Sequence, residues 1–78
     1  MPKITPIDPY KFIELLFKLG FKPIRQRGSH VVLINNQGAR ILVPVHPGKK
    51  LKPGLVRLIL AEIGLTRDQY FELLERDC

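Results

Sequence analysis

Three short runs of strand-forming residues lie between positions 21 and 45, separated only by Arg27-Gly28 and Asn36-Gln37-Gly38. Parallel neighbours need a crossover of about a dozen residues or more, so runs this close can pair only as an antiparallel meander. The pattern predicts strands over residues 21–26, 29–35 and 39–45. The second is the clearest, being rich in β-branched side chains. Pro23 cannot donate to a ladder, so the first strand is expected at a sheet edge or with an irregular start. Alternation puts His30, Val32 and Ile34 on one face and Ser29, Val31, Leu33 and Asn35 on the other. Both sets carry apolar residues, so alternation leaves open which face meets solvent.

Helical patterns flank the meander. Asp8 can cap a helix whose first residue, Pro9, has no N–H to leave unsatisfied. Phe12, Leu15, Leu16 and Leu19 then recur at helical spacing, with Ile13 and Phe17 widening the stripe. Gly20 stops this helix, expected over residues 9–19, and Phe21 can fold back on it. A second helix is expected from Pro53 to Gly64, with Val56, Ile59, Leu60 and Ile63 on one face. Thr66 and Gln69 form a capping-box pattern at the start of a third, in which Tyr70, Phe71, Leu73 and Leu74 are apolar. Glu72, Glu75 and Asp77 make that third helix too acidic to approach DNA phosphates, so helices two and three do not read as a DNA-binding pair.

The expected class is α+β in the order α-β-β-β-α-α: a three-stranded antiparallel sheet with helices on one face, leaving the other face or an edge for a ligand. Double-stranded-RNA-binding domains share the α-β-β-β-α order, an analogy of fold that does not establish function. The 78 residues suffice for one domain, 1–78, in which Pro2 and Pro6 make residues 1–7 an extended arm.

Composition narrows the chemistry. Cys78 is the only cysteine, so no disulfide forms within the chain. His30, His46 and Cys78 lie too far apart in sequence for a metal-ligand motif, and neither a metal nor another cofactor is expected. No apolar run approaches the ~20 residues of a membrane span, and the N-terminus lacks a signal-peptide core, so a cytoplasmic protein, monomeric when free, is expected. The formal net charge of +6 favours a polyanionic partner such as nucleic acid or an acidic protein, although charge alone can also serve solubility.

Two places could carry chemistry. His30 begins the best strand and has Arg25, Arg27 and Arg40 as its cationic company. Metal-free RNA cleavage needs a base for the 2′-hydroxyl proton, an acid for the leaving oxygen and cations for the charge on phosphorus. A histidine packed or hydrogen-bonded at a strand end is the plainer alternative. Lys49, Lys50 and Lys52 precede the second helix, whose N-terminal amides favour phosphate; a solvated loop is the alternative. His46, before Pro47, reads as a residue that orients this loop or faces solvent, with proton transfer a less favoured role.

The chain resembles the HicA family of toxins. The resemblance is carried by Leu19-Gly20-Phe21, Arg25-Gln26-Arg27-Gly28-Ser29-His30, Val43-Pro44-Val45-His46 and Lys49-Lys50-Leu51-Lys52-Pro53-Gly54, within about residues 10–74. It implies a double-stranded-RNA-binding-like fold and a ribosome-independent mRNA endoribonuclease whose catalytic histidine maps onto His30. It also implies a HicB-type antitoxin that occludes the site. Arg25, Arg27, Ser29, Lys49, Lys50 and Lys52 are the expected RNA-binding residues, with no metal. The family's usual Ser-Gly before the first helix is Asp8-Pro9 here; both pairs can begin a helix. A non-catalytic RNA-binding module and a pure protein-interaction domain remain the rival functions.

Overall fold

A computed structural model describes residues 3–76; Met1, Pro2, Asp77 and Cys78, and with them the expectations placed on those residues, lie outside the described part. The element order is α1 (Pro9–Lys18), β1 (Lys22–Arg27), β2 (His30–Ile34), β3 (Arg40–Pro44), α2 (Pro53–Ile63) and α3 (Arg67–Arg76). The strands form one antiparallel sheet in the order β1-β2-β3, the expected meander.

Local chemistry sets the ends of each element. The Asp8 carboxylate accepts from the Lys11 amide at 3.2 Å, and Pro9 opens α1. At the other end Gly20 takes φ +94°, and the Phe21 amide donates back to the Leu16 carbonyl at 3.0 Å. That reversal buries Phe21. Phe17 departs from the expected apolar stripe: it is 48% exposed, while Phe12, Ile13, Leu15 and Leu16 are buried. The capping box of α3 forms in both directions, Thr66 amide to Gln69 Oε1 at 2.9 Å and Gln69 amide to Thr66 Oγ1 at 3.1 Å.

Both expectations for Pro23 hold together. β1 is an edge strand, and its register slips between Pro23 and Arg25, leaving Ile24 as an extra residue in the ladder. The β1–β2 turn is Gly28-Ser29, one residue later than expected, because Arg27 still pairs with His30. Gly28 adopts φ +57°, a backbone that L side chains rarely take. Between β2 and β3, Asn35 Oδ1 accepts from the amides of Gln37 (3.0 Å) and Ala39 (2.8 Å), closing the turn.

The structure resolves which sheet face is covered. Val31, Leu33, Ile41 and Val43 are buried and form one core with Phe12, Leu15 and Leu16 of α1, Val56, Ile59 and Leu60 of α2, and Tyr70 of α3. His30 and Leu42 are exposed on the opposite face, with Val32 and Ile34 half-buried there. All six residues of β1 are exposed. Residues 3–6 belong to no helix or strand, with Ile4 buried in the core, and Ile7 pairs with Leu51 through two backbone hydrogen bonds, of 3.2 and 2.7 Å. That bridge ties the arm to the loop before α2.

Candidate functional site

The uncovered sheet face is built in rows by the strand register. One row reads Arg27–His30–Pro44 across the three strands, and the next reads Arg25–Val32–Leu42. His30 therefore stands at the end of β2, with an arginine on one side and a ring without an N–H on the other. Its imidazole is exposed and has no hydrogen-bond partner among the described residues. The reading of His30 as a hydrogen-bonded strand-end residue thus finds no partner to support it.

Beyond Pro44 the chain stays close to this row. The Val45 amide donates to the Ser29 carbonyl at 2.6 Å, extending the ladder past the last paired residues. His46 follows and starts a tight turn in which the Lys49 amide donates to the His46 carbonyl at 3.2 Å. Pro47 and Gly48, the latter at φ +73°, occupy the central positions, the arrangement of a type II turn. Held at both ends, the His46 ring lies with its centroid 6.0 Å from that of His30, at an interplanar angle of 78°. The sequence reading did not bring the histidines together.

His46 also joins the two halves of the expected site. With Lys49, Lys50, Lys52, Pro44, Leu51 and Leu55 it lines a hollow of about 280 Å³. Lys52 is the N-cap of α2 and makes no side-chain hydrogen bond to the helix, so it lines the hollow beside Lys49 and Lys50 at the helix N-terminus, where the macrodipole also favours an anion. Among the described residues no carboxylate lines that hollow. The two clusters inferred separately, His30 with Arg27 and the lysine loop, form one cationic surface with His46 at its centre.

The remaining candidates fall at its margins. Ser29 lies in the Gly28-Ser29 turn, half-buried, with its carbonyl engaged by Val45. Arg25 stands one row from His30, and Arg40, opposite Ile34, two rows away. Both arginines line a groove of about 510 Å³ between the open sheet face and α2, whose walls include Ile24, Val32, Leu42, Leu55 and Leu58. Ile24, Leu42 and Leu58 are each more than half exposed there. The sequence reading missed this groove.

Among the described residues no three His, Cys, Asp or Glu side chains cluster to hold a metal, and no helix is long and apolar enough to cross a membrane. A search of curated proteins finds no match. The family model described as the HicA toxin of bacterial toxin–antitoxin systems matches residues 10–65. That span takes in His30, its neighbouring arginines, His46 and the lysine loop. The chain belongs to the HicA toxin family, and so to the toxin side of a toxin–antitoxin system with an antitoxin as its partner.

Proposed function

We propose that this toxin is a metal-independent endoribonuclease that cleaves mRNA with His30 and is neutralised by a HicB-type antitoxin. The observation that carries the reading is the exposed His30 imidazole, without a hydrogen-bond partner among the described residues, on an open sheet face beside a cationic hollow. Neutral imidazole at that position takes the proton of an RNA 2′-hydroxyl. The 2′-oxygen then attacks the adjacent phosphorus in line, the 5′-oxygen leaves, and a 2′,3′-cyclic phosphate remains on the upstream fragment. Arg27 stands beside the reacting group, and Lys49, Lys50 and Lys52 hold flanking phosphates, with Arg25 and Ser29 at the edge.

Incubating the pure protein with end-labelled RNA in the presence of a chelator tests this reading. Fragments ending in cyclic phosphate are expected; binding without fragments would leave a non-catalytic RNA-binding module instead. Replacing Lys49, Lys50 and Lys52 together with Ala should weaken RNA binding while the circular dichroism spectrum is retained. All three side chains are exposed. The salt dependence of affinity should also flatten, by a slope of roughly 0.7 for each single-strand phosphate no longer neutralised. An unchanged slope in a salt titration would reduce the loop to a solvated surface.

The same face suits the antitoxin. Its apolar groove lies one row from His30 and carries two cations, Arg25 and Arg40, against one carboxylate, Glu62, so an apolar segment with acidic flanks on the arginine side is complementary to it. A partner seated there lies across the approach to His30. Leu42→Asp should weaken antitoxin binding by about 30-fold or more, the effect of losing an interface hot spot, and leave the fold intact because Leu42 is 51% exposed. Unaltered antitoxin affinity in calorimetry would place the partner elsewhere.

A further inference from the structure

The pair of histidines has no explanation in the fold. Neither ring is in the core, and neither accepts or donates a hydrogen bond among the described residues. Their approach is nevertheless fixed by backbone. His30 is locked by its pairing with Arg27 and Pro44, and His46 by the Val45–Ser29 bond on one side and the turn to Lys49 on the other.

We propose that His46 is the second proton-transfer group of the site, the general acid that protonates the leaving 5′-oxygen. The inference rests on the ribonuclease reading of His30. Transesterification of RNA moves two protons at opposite ends of one phosphorus: one leaves the attacking 2′-oxygen and one must reach the departing 5′-oxygen. As the 2′-oxygen–phosphorus bond forms, the phosphorus–5′-oxygen bond breaks. His30 ends the step protonated and His46 neutral, and exchange with water restores both. The step consumes no other reactant.

The geometry suits this division of labour. The rings meet edge to face with centroids 6.0 Å apart, a separation that lets each serve one of the two apical oxygens of a single phosphodiester. Each ring then needs only a hydrogen bond of about 2.7–3 Å to its own oxygen. The surroundings favour the substrate rather than a competing partner. Arg27 faces His30 across the β1–β2 ladder, and Lys49, Lys50 and Lys52 line the hollow with His46. With no carboxylate in that hollow, a substrate phosphate supplies the anion the cluster lacks. Imidazole is also the side chain able to hold a proton and release it near neutral pH.

The test compares two RNA substrates of one sequence, one normal and one whose scissile 5′-bridging oxygen is replaced by sulfur. A thiolate departs without protonation, since thiols ionise at about pH 8.5. His46→Gln is expected to slow single-turnover cleavage of the oxygen substrate by about 10²–10⁴-fold and to cut the sulfur substrate close to the wild-type rate. His30→Ala should remain slow on both. An equal defect of His46→Gln on both substrates, or no defect on the oxygen substrate, overturns the assignment. A wild-type protein that cuts neither substrate overturns the ribonuclease reading itself, and the role of His46 with it.

Discussion

Phe12→Ala is expected to remove about 3–5 kcal/mol of stability, the usual cost of deleting a buried aromatic ring. Phe12 is 1% exposed and lies among the largest fully buried side chains. Its ring meets Tyr70 edge-on, with centroids 6.2 Å apart, so it links the first helix to the last. Burial also pushes the Tyr70 phenol above its ordinary value of 10.0, as expected for a ring shielded from water. A chain of 78 residues has a total stability on the order of 4–12 kcal/mol. The substitution should therefore consume a large share of it and can unfold the protein outright. Phe17→Ala on the same helix should change stability by only about 0.5 kcal/mol or less, because that ring is 48% exposed. Urea denaturation of the two variants beside wild type gives the comparison. Equal midpoints for Phe12→Ala and Phe17→Ala would mean that α1 does not pack as described.

The elements themselves were legible because their ends are written in short-range chemistry. Asp8-Pro9, Gly20, Gly28, Asn35 and the Thr66–Gln69 pair all act within a few residues of themselves, and each marks a boundary close to where the sequence pattern puts it. The covered face of the sheet was a different matter. Val31 and Leu33 are as apolar as Val32 and Ile34, and only the packing of the helices decides between them. The groove was hidden for a related reason. It depends on where α2 settles against the sheet, and the stripe Val56, Ile59 and Leu60 says which side of α2 is buried but not what its other sides overlook.

The meeting of His30 and His46 was recoverable. The second turn is centred on Gln37, and residues equidistant from a turn centre face one another across an antiparallel pair. Ile34 and Arg40 pair, as do His30 and Pro44, so that His46, two residues beyond the end of its strand, falls on the side of His30 by alternation. Treating His46 as a loop residue, by its neighbours Pro47 and Gly48, obscures this register. The family resemblance held for the same span that carries both histidines. It pointed to one of them, whereas the backbone geometry brings both to one place.

His30→Ala is expected to slow cleavage by at least about 10²-fold while leaving the domain folded. The side chain is exposed at the first position of β2 and contributes nothing to the buried core, so its loss leaves no cavity. The ladder survives, because the pairing of residue 30 with Arg27 and Pro44 is made by the backbone. RNA affinity should be nearly retained, since Arg27 and the lysine hollow remain. What disappears is the group proposed to accept the 2′-hydroxyl proton, and general acid–base catalysis typically contributes about 10²–10⁴-fold. Single-turnover cleavage of one labelled RNA by wild type and His30→Ala, matched by circular dichroism and by RNA affinity, is the most direct measurement. The account predicts a fall of at least about 10²-fold for the variant; folded His30→Ala protein cutting at the wild-type rate would contradict it.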